Sequence, residues 1–358
     1  MNIRNLLLFI HKKVQKLANA TTAAIDLNRD LSRFSSWSPI LDRLAREKFK
    51  CRNAGAVICR ILNLFVYIPI LFCSCTTRYA AYSPQPVPEY SLPKEPIMLA
   101  LCLGSGGSRG IAHLGVLYEL EKANIPIDLI VGCSAGSVIG ASYADHPHVE
   151  DLIPKFKQQK KDHLLDMDML NMRYGIYKGN AFQNFLINHL KSTCFEELKI
   201  PCLVVATDMI SGEELCFGSG PLAPVIHASC AIPYYFHPVE LYGRYLIDGG
   251  VTNPVPTSIA KKHGAGLIIA VDITFALPTN LPTNLLGIAK RSMEICFHKV
   301  NRLCLEQADI VITPDIKTIG VFEDQAFDLL FEAGRASARE AIPEIRNRLD
   351  SLKRSRAP

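Results

Sequence analysis

Ser134 stands between two glycines in GCSAG (132–136), at the end of an apolar run and ahead of a stretch of small residues. A G-x-S-x-G set between a strand and a helix makes a strained turn that lifts the hydroxyl into the open, where it can act as a nucleophile. A second stretch, GSGGSRG (104–110), follows another apolar run and opens a helical pattern. Its glycines let main-chain N–H groups approach a ligand, and free amides at a helix start attract negative charge. Beside a nucleophilic serine, the amides around Gly106, Gly107 and Ser108 would hold the oxygen of a tetrahedral intermediate. Arg109 can steady this loop or face a phosphate. A dinucleotide fingerprint or a P-loop beginning at Gly104 would need glycine at position 109, so neither fits. A third stretch, LIDGGVTNPVP (246–256), carries Asp248 before two glycines that allow a close approach to Ser134.

Positioning these residues requires an α/β framework. The run IMLALCL (97–103) has the length and unbroken apolarity of a strand buried on both faces. Ile111, Leu114, Leu117 and Leu120 then recur at helical spacing. PIDLIV (126–131) is a second strand, and AGSVIGASYA is the helix after Ser134. This is a βαβα unit with parallel strands, so both loops sit at one sheet edge. PCLVVATD (201–208), RYLID (244–248), GLIIAVDI (266–273) and DIVITPDI (309–316) read as further strands. RYLID pairs with VELY across a turn at Gly243, and a helix over 325–352 closes the domain. The expected fold is a three-layer α/β/α with a mainly parallel central sheet.

At these residues the chain resembles the bacterial patatin-like phospholipases. GSGGSRGIAHLGVL is similar to that family's glycine-rich oxyanion block, GCSAG to its nucleophile motif and DGG to its catalytic aspartate motif. ATDMISGEELCF and ASCAIPYYFHPVELYGRYLIDGGVTNPVP resemble its central blocks, and the likeness spans about residues 97–345. The visible departure is Ser105, where many members have glycine or alanine. The resemblance implies a patatin-like fold, Ser134 as nucleophile, Asp248 as its partner, and Gly106, Gly107 and Ser108 as oxyanion donors with Arg109 beside them. It implies a lipid acyl hydrolase of phospholipase A or lysophospholipase type, with a membrane lipid as substrate and no metal or organic cofactor.

A serine hydroxyl needs a base within about 3 Å. A Ser-Asp-His esterase is the enzyme rival, and it needs a late histidine on a loop after a strand. His298 instead lies in the helix-like run RSMEICFHKV. His113 reads as a packing residue of the first helix, and His227 and His237 as surface or turn histidines. Asp208, Asp272 and Asp315 also end strands, and Asp208 is the best substitute for Asp248. A catalytically silent, membrane-anchored lipid-binding protein is the rival from another class. Met167, Met169 and Met172 with Leu164, Leu165 and Leu170 form an apolar patch after Lys155–Lys161. That patch is either an ordinary buried helix or a mobile flap over an acyl groove, hinged at YGIYKG (174–179).

The net charge of +5 is concentrated at the start of the chain. Residues 1–60 hold twelve Lys/Arg against four Asp/Glu, +8, so the remainder carries −3. Residues 1–53 form a basic extension and 54–75 an apolar segment that is short for a spanning helix. That segment suits a signal-peptide core or a membrane anchor. FCSC resembles a bacterial lipobox with Cys75 as the lipid-bearing residue. Basic and apolar character together favour a membrane surface over nucleic acid. The expected localisation is membrane-associated, with cytoplasmic as the alternative. Residues 76–96 are proline-rich and read as an extended linker, 97–352 as the acyl hydrolase domain and 353–358 as a basic tail. Twelve cysteines include no CxxC pair, and Cys102, Cys133, Cys202 and Cys230 lie in apolar contexts that suit compact hydrophobes rather than disulfides.

Overall fold

The computed structural model describes residues 81–93, 95–159, 163–169, 172–316, 319 and 326–356. They lie within one compact unit, Cys75–Pro358. In chain order the strands are β1 (Leu99–Leu103), β2 (Leu129–Cys133), β3 (Cys202–Asp208), β4 (Glu214–Phe217), β5 (Val239–Leu241), β6 (Arg244–Asp248), β7 (Leu267–Val271) and β8 (Ile310–Ile312). The helices are α1 (Ile111–Lys122), α2 (Ala135–Asp145), α3 (Val149–Gln158), α4 (Asn180–His189), α5 (Leu222–Ser229), α6 (Thr257–Lys262), α7 (Leu285–Leu305) and α8 (Phe327–Arg356).

Strands β3, β2, β1, β7 and β8 are parallel neighbours. Their unbroken apolarity follows from burial on both faces. Leu99, Leu101 and Leu103 join one core with α1, α2 and α8, while Ala100 and Cys102 join a second with α6 and the end of α7. The expected three-layer α/β/α arrangement is present. Each predicted strand forms, and β5 and β6 pair antiparallel across the turn at Tyr242 and Gly243.

The register of β3 brings two distant segments together. Val204 and Val205 pair with Gly132 and Cys133 on one side and with Phe217 and Cys216 on the other. Further along, Ala206 and Thr207 pair with Leu215 and Glu214 on that second side, and with Asp248 and Ile247 on the first. A strand has only two hydrogen-bonding edges, so β6 continues the line of β2 along β3. Cys133 and Asp248 therefore face consecutive residues of β3.

Three expectations change in outline. The proline-rich stretch is extended, but its described part is bound to the domain rather than free. Ser83 N–H donates to Gly243 O, Gln85 N–H to Tyr242 O, and the Tyr82 hydroxyl to Asp208. The basic tail continues α8 as far as Arg356. Residues 164–169 form no helix, and Met167, Met169 and Met172 are 62%, 70% and 52% exposed, so the reading as a buried helix fails. Leu170, Cys75 and all of 54–75 lie outside the described residues. Among the described residues, no helix is long and apolar enough to cross a membrane.

Candidate active site

Ser134 sits where β2 gives way to α2, with φ 51° and ψ −120°. This is a strained conformation for a residue with a Cβ, and local bonds hold it. The Ser137 hydroxyl and N–H both donate to Ser134 O, and Ser134 N–H donates to the Ser229 hydroxyl at 2.9 Å. Ser229 in turn donates to Val205 O of β3 at 2.6 Å. The flanking glycines are required by crowding, since a Cβ at Gly136 would collide with the Leu103 carbonyl and one at Gly132 with the start of α2.

The Ser134 hydroxyl donates to Asp248 Oδ2 at 2.6 Å, and both residues are buried. The other carboxylate oxygen accepts from Gly250 N–H at 2.7 Å. Thr207 Oγ1 donates to Asp248 O, and Asp248 N–H donates to Ala231 O, so the main chain at Asp248 is tied on both sides. A Cβ at Gly249 would strike the Val205 carbonyl, which explains why a residue without one follows the aspartate. Burial raises the Asp248 carboxyl from 3.8 to about 6, against the opposing pull of the Ser134 and Gly250 hydrogen bonds. The carboxylate is thereby a stronger base than an exposed aspartate, yet remains ionised near neutral pH.

The glycine loop runs from β1 into a 3-10 turn, Gly107–Gly110. Arg109 is 1% exposed; its Nε donates to Gly106 O at 3.1 Å, and its guanidinium lies 5.0 Å from the Phe275 ring centroid. Burial lowers its pKa to about 10, partly offset by Asp272. In a trans peptide the C=O and the next N–H point in opposite directions. By holding Gly106 O, Arg109 turns Gly107 N–H the other way. Gly107 and Ser108 line a cavity with Ser134, whereas Gly106 and Arg109 do not. Of the two roles open to Arg109, the structure supports steadying the loop rather than facing a phosphate. Gly107 adopts φ 62°, a conformation that favours glycine. Ala135, at the start of α2, also lines the cavity, and its position beside Ser134 makes its N–H a further candidate oxyanion donor.

That cavity has a volume of about 230 Å³. Beyond Ser134 its wall is mostly apolar, with Phe156, Phe182, Phe185 and Phe236 from the helical side and Phe327 and Leu330 from the start of α8, while Ser108, Lys157 and Gln159 add polar groups. Leu164 and Leu165 contribute from the segment read as a flap. α8 is fixed against α1 by close backbone approach at Gly115 and Gly334 and by Arg335 and Arg339 on buried Glu119.

The histidines are engaged elsewhere. His113 is fully buried and its Nε2 meets Gly104 O at 2.8 Å, so it braces the glycine loop. Burial holds it neutral, with a pKa lowered to about 4. His227 is not a surface residue: it is 4% exposed and packs against Gly179 and Phe182. His237 lies against Tyr174 and His298 against Phe275 and Phe297. Asp208 does not reach Ser134; it accepts from Arg244, Tyr82 and Ile210 N–H. Asp272 accepts from Thr274 and Asn301, and Asp315 is exposed. Among the described residues, no group of three or more His, Cys, Asp or Glu could hold a metal ion, and their cysteines are all free.

Residues 101–261 match the family model described as patatin-like phospholipase. This segment is similar to the patatin-like phospholipases. Patatin-like phospholipase domain-containing protein 6 of Mus musculus is 33% identical over 195 residues, covering 52% of this chain and 14% of the relative. An uncharacterized NTE family protein of Mycobacterium tuberculosis is 35% identical over 182 residues, 49% of each chain. Among solved structures, VipD from Legionella pneumophila is similar with a TM-score of 0.42 and 16% identity, over 79% of this chain and 73% of that one. The chain thus spans from about a seventh to about half of the length of these two relatives. The matched segment contains the glycine loop, Ser134 and Asp248.

Sequence reasoning did not find Ser229. It lies in the apolar run LAPVIHAS, and only the fold sets its hydroxyl between β3 and the Ser134 amide. Nor did it find Thr207, whose only visible signal is its place one residue before the strand-ending Asp208.

Proposed function

We propose that this protein is a lipid acyl hydrolase that cleaves carboxylic esters by a Ser134–Asp248 dyad. The observation that carries the reading is the 2.6 Å hydrogen bond from the Ser134 hydroxyl to a buried carboxylate, with Ser134 lining a mostly apolar cavity. Asp248 takes the Ser134 proton as Oγ attacks the ester carbonyl. The tetrahedral oxyanion is held by the amides of Gly107 and Ser108, which Arg109 and His113 orient through Gly106 O and Gly104 O. Collapse expels the alcohol, which receives the proton from Asp248, and leaves an acyl-Ser134. Water deprotonated by Asp248 then releases the fatty acid. The phenylalanine-lined cavity accommodates the acyl chain, which favours a phospholipid or lysophospholipid substrate.

On this reading the chain works at a membrane surface, with residues 54–75 as signal or anchor and Cys75 as a candidate lipid attachment point. The test of the chemistry is labelling by a fluorophosphonate probe together with turnover of a short-chain ester. Ser134→Ala should abolish both in a folded protein. Appreciable residual turnover would exclude Ser134 as the nucleophile. Loss of membrane recovery on deleting 1–75 would support the anchor, and unchanged recovery would refute it.

A further inference from the structure

The residues after β7 leave the catalytic edge of the sheet and enter an unusual surface. Ile273 packs against Gly106, and Phe275 lies against the Arg109 guanidinium. From there the chain projects outward as a loop with Leu277 and Leu281, then turns into α7. Leu281 and Leu285 are 85% and 83% exposed, and Ile288, Ile295 and Leu303 continue the exposed apolar positions along the helix. α7 has 21 residues, about 31 Å at 1.5 Å per residue. It is fastened by its other edge: Phe297 meets Gly250, Asn301 donates to Asp272, and Cys304 O accepts from Thr257.

The exposed side is basic as well as apolar. Residues 277–305 hold Lys290, Arg291, Lys299 and Arg302 against Glu294 alone, a balance of +3. The part of the chain after residue 60 carries −3, so this positive charge runs against its surroundings. Lys290, Lys299 and Arg302 are exposed among the leucines and isoleucines. An isolated leucine at the surface needs no explanation, but a sustained apolar face set among basic side chains does. That combination suits an interface with acyl chains below and anionic headgroups above.

We infer that the 277–303 surface, led by Leu281 and Leu285, docks onto an anionic lipid bilayer and seats the Ser134 cleft against it. The inference rests on the lipid hydrolase reading and adds the surface through which the substrate is met. Lys299 and Arg302 supply the attraction to anionic headgroups, and the leucines enter the acyl boundary. Because Phe275 directly precedes this segment and Phe297 lies within it, and they touch Arg109 and Gly250, docking places the bilayer next to the dyad rather than at a remote anchor.

The full-length protein provides the test. Leu285→Trp is added to the native Trp37, and the difference in emission is followed with vesicles of phosphatidylcholine and phosphatidylglycerol carrying brominated acyl chains. The residue-285 signal should shift to the blue and be quenched, whereas Lys353→Trp near the end of α8 should do neither. Leu281→Ser with Leu285→Ser should lower hydrolysis of vesicle lipid by about tenfold or more, with soluble-ester turnover unchanged. Lys299→Glu with Arg302→Glu should remove the dependence on phosphatidylglycerol. A residue-285 emission indifferent to vesicles, in a protein that still turns over soluble ester, would overturn the docking surface alone. Quenching retained without any fluorophosphonate labelling would overturn the hydrolase reading alone. A dimer in solution that Leu285→Ser disperses would assign the surface to a second copy and overturn the bilayer.

Discussion

Asp248→Asn separates charge from shape at the centre of the site. Asparagine can keep the Gly250 N–H bond on its oxygen and donate its amide to Ser134 Oγ, so only the ionisable group is lost. Asp248 has a carboxyl raised from 3.8 to about 6, so the native state prefers it protonated. The sign follows from linkage. Below about pH 4 folded and unfolded chains are both largely protonated and the position is neutral; as pH rises through about 6, stability is lost because the folded state must carry a buried charge. The shift of about 2 units, at 1.36 kcal/mol each, is a penalty of about 3 kcal/mol above pH 7. Urea unfolding of wild type and Asp248→Asn should therefore show the variant more stable by about 3 kcal/mol near pH 8 and by less than ~1 kcal/mol near pH 4. The same change should lower ester turnover by several orders of magnitude, and wild-type turnover should fall as pH drops through about 6. A stability difference that does not grow with pH would refute the buried-charge account. Wild-type turnover undiminished well below pH 6 would refute ionised Asp248 as the base.

Ser229→Ala would leave Ser134 N–H and Val205 O without their shared partner, a loss of about 1–3 kcal/mol in stability. Because the strained turn loses one of its holds, the fluorophosphonate labelling rate should fall as well; a labelling rate unchanged in Ser229→Ala would limit Ser229 to packing. Gly107→Ala forces a Cβ onto φ 62° and disturbs the loop amides. It should reduce kcat by about tenfold or more with little change in KM, as measured on a soluble ester, and near-normal kcat would show that these amides do not meet the oxyanion.

The central strands were legible because burial on both faces writes itself as unbroken apolar runs. LALCL, LIVGC and LIIAV are each buried at every position. The Ser134–Asp248 pairing was legible for a different reason: each partner sits in a glycine-bounded turn whose composition has a steric cause. α5 escaped notice because LAPVIHAS is buried nearly all round and lacks the polar face that marks a helix at the surface. β4 is four residues long, with two of them buried, too brief for a period to show. The role of Arg109 could not be decided locally, since its burial depends on Ile273 and Phe275, more than 160 residues away in the chain. Likewise proline content showed that residues 81–93 are extended, but their docking depends on carbonyls at Tyr242 and Gly243.

The features that would make the site reactive on the proposed reading are also those that the fold disfavours, and this explains the company they keep. Ser134 occupies a backbone region that residues with a Cβ avoid, and Asp248 carries a charge away from water. Each would relax if its surroundings allowed. Instead Ser229 and Ser137 fix the serine from two directions, while Gly250 N–H, Thr207 and Ala231 O fix the aspartate. Both sets of holds converge on β3, through Val205 O on one side and Thr207 on the other. β3 is buried at all seven of its positions and pairs with β2, β4 and β6. A displacement of one partner alone would have to break a bond to this strand, so the 2.6 Å contact between Ser134 and Asp248 is set by its register. On the proposed reading, the nucleophile and its base would thus be preorganised by the most deeply held element of the sheet, with no assembly needed when substrate arrives.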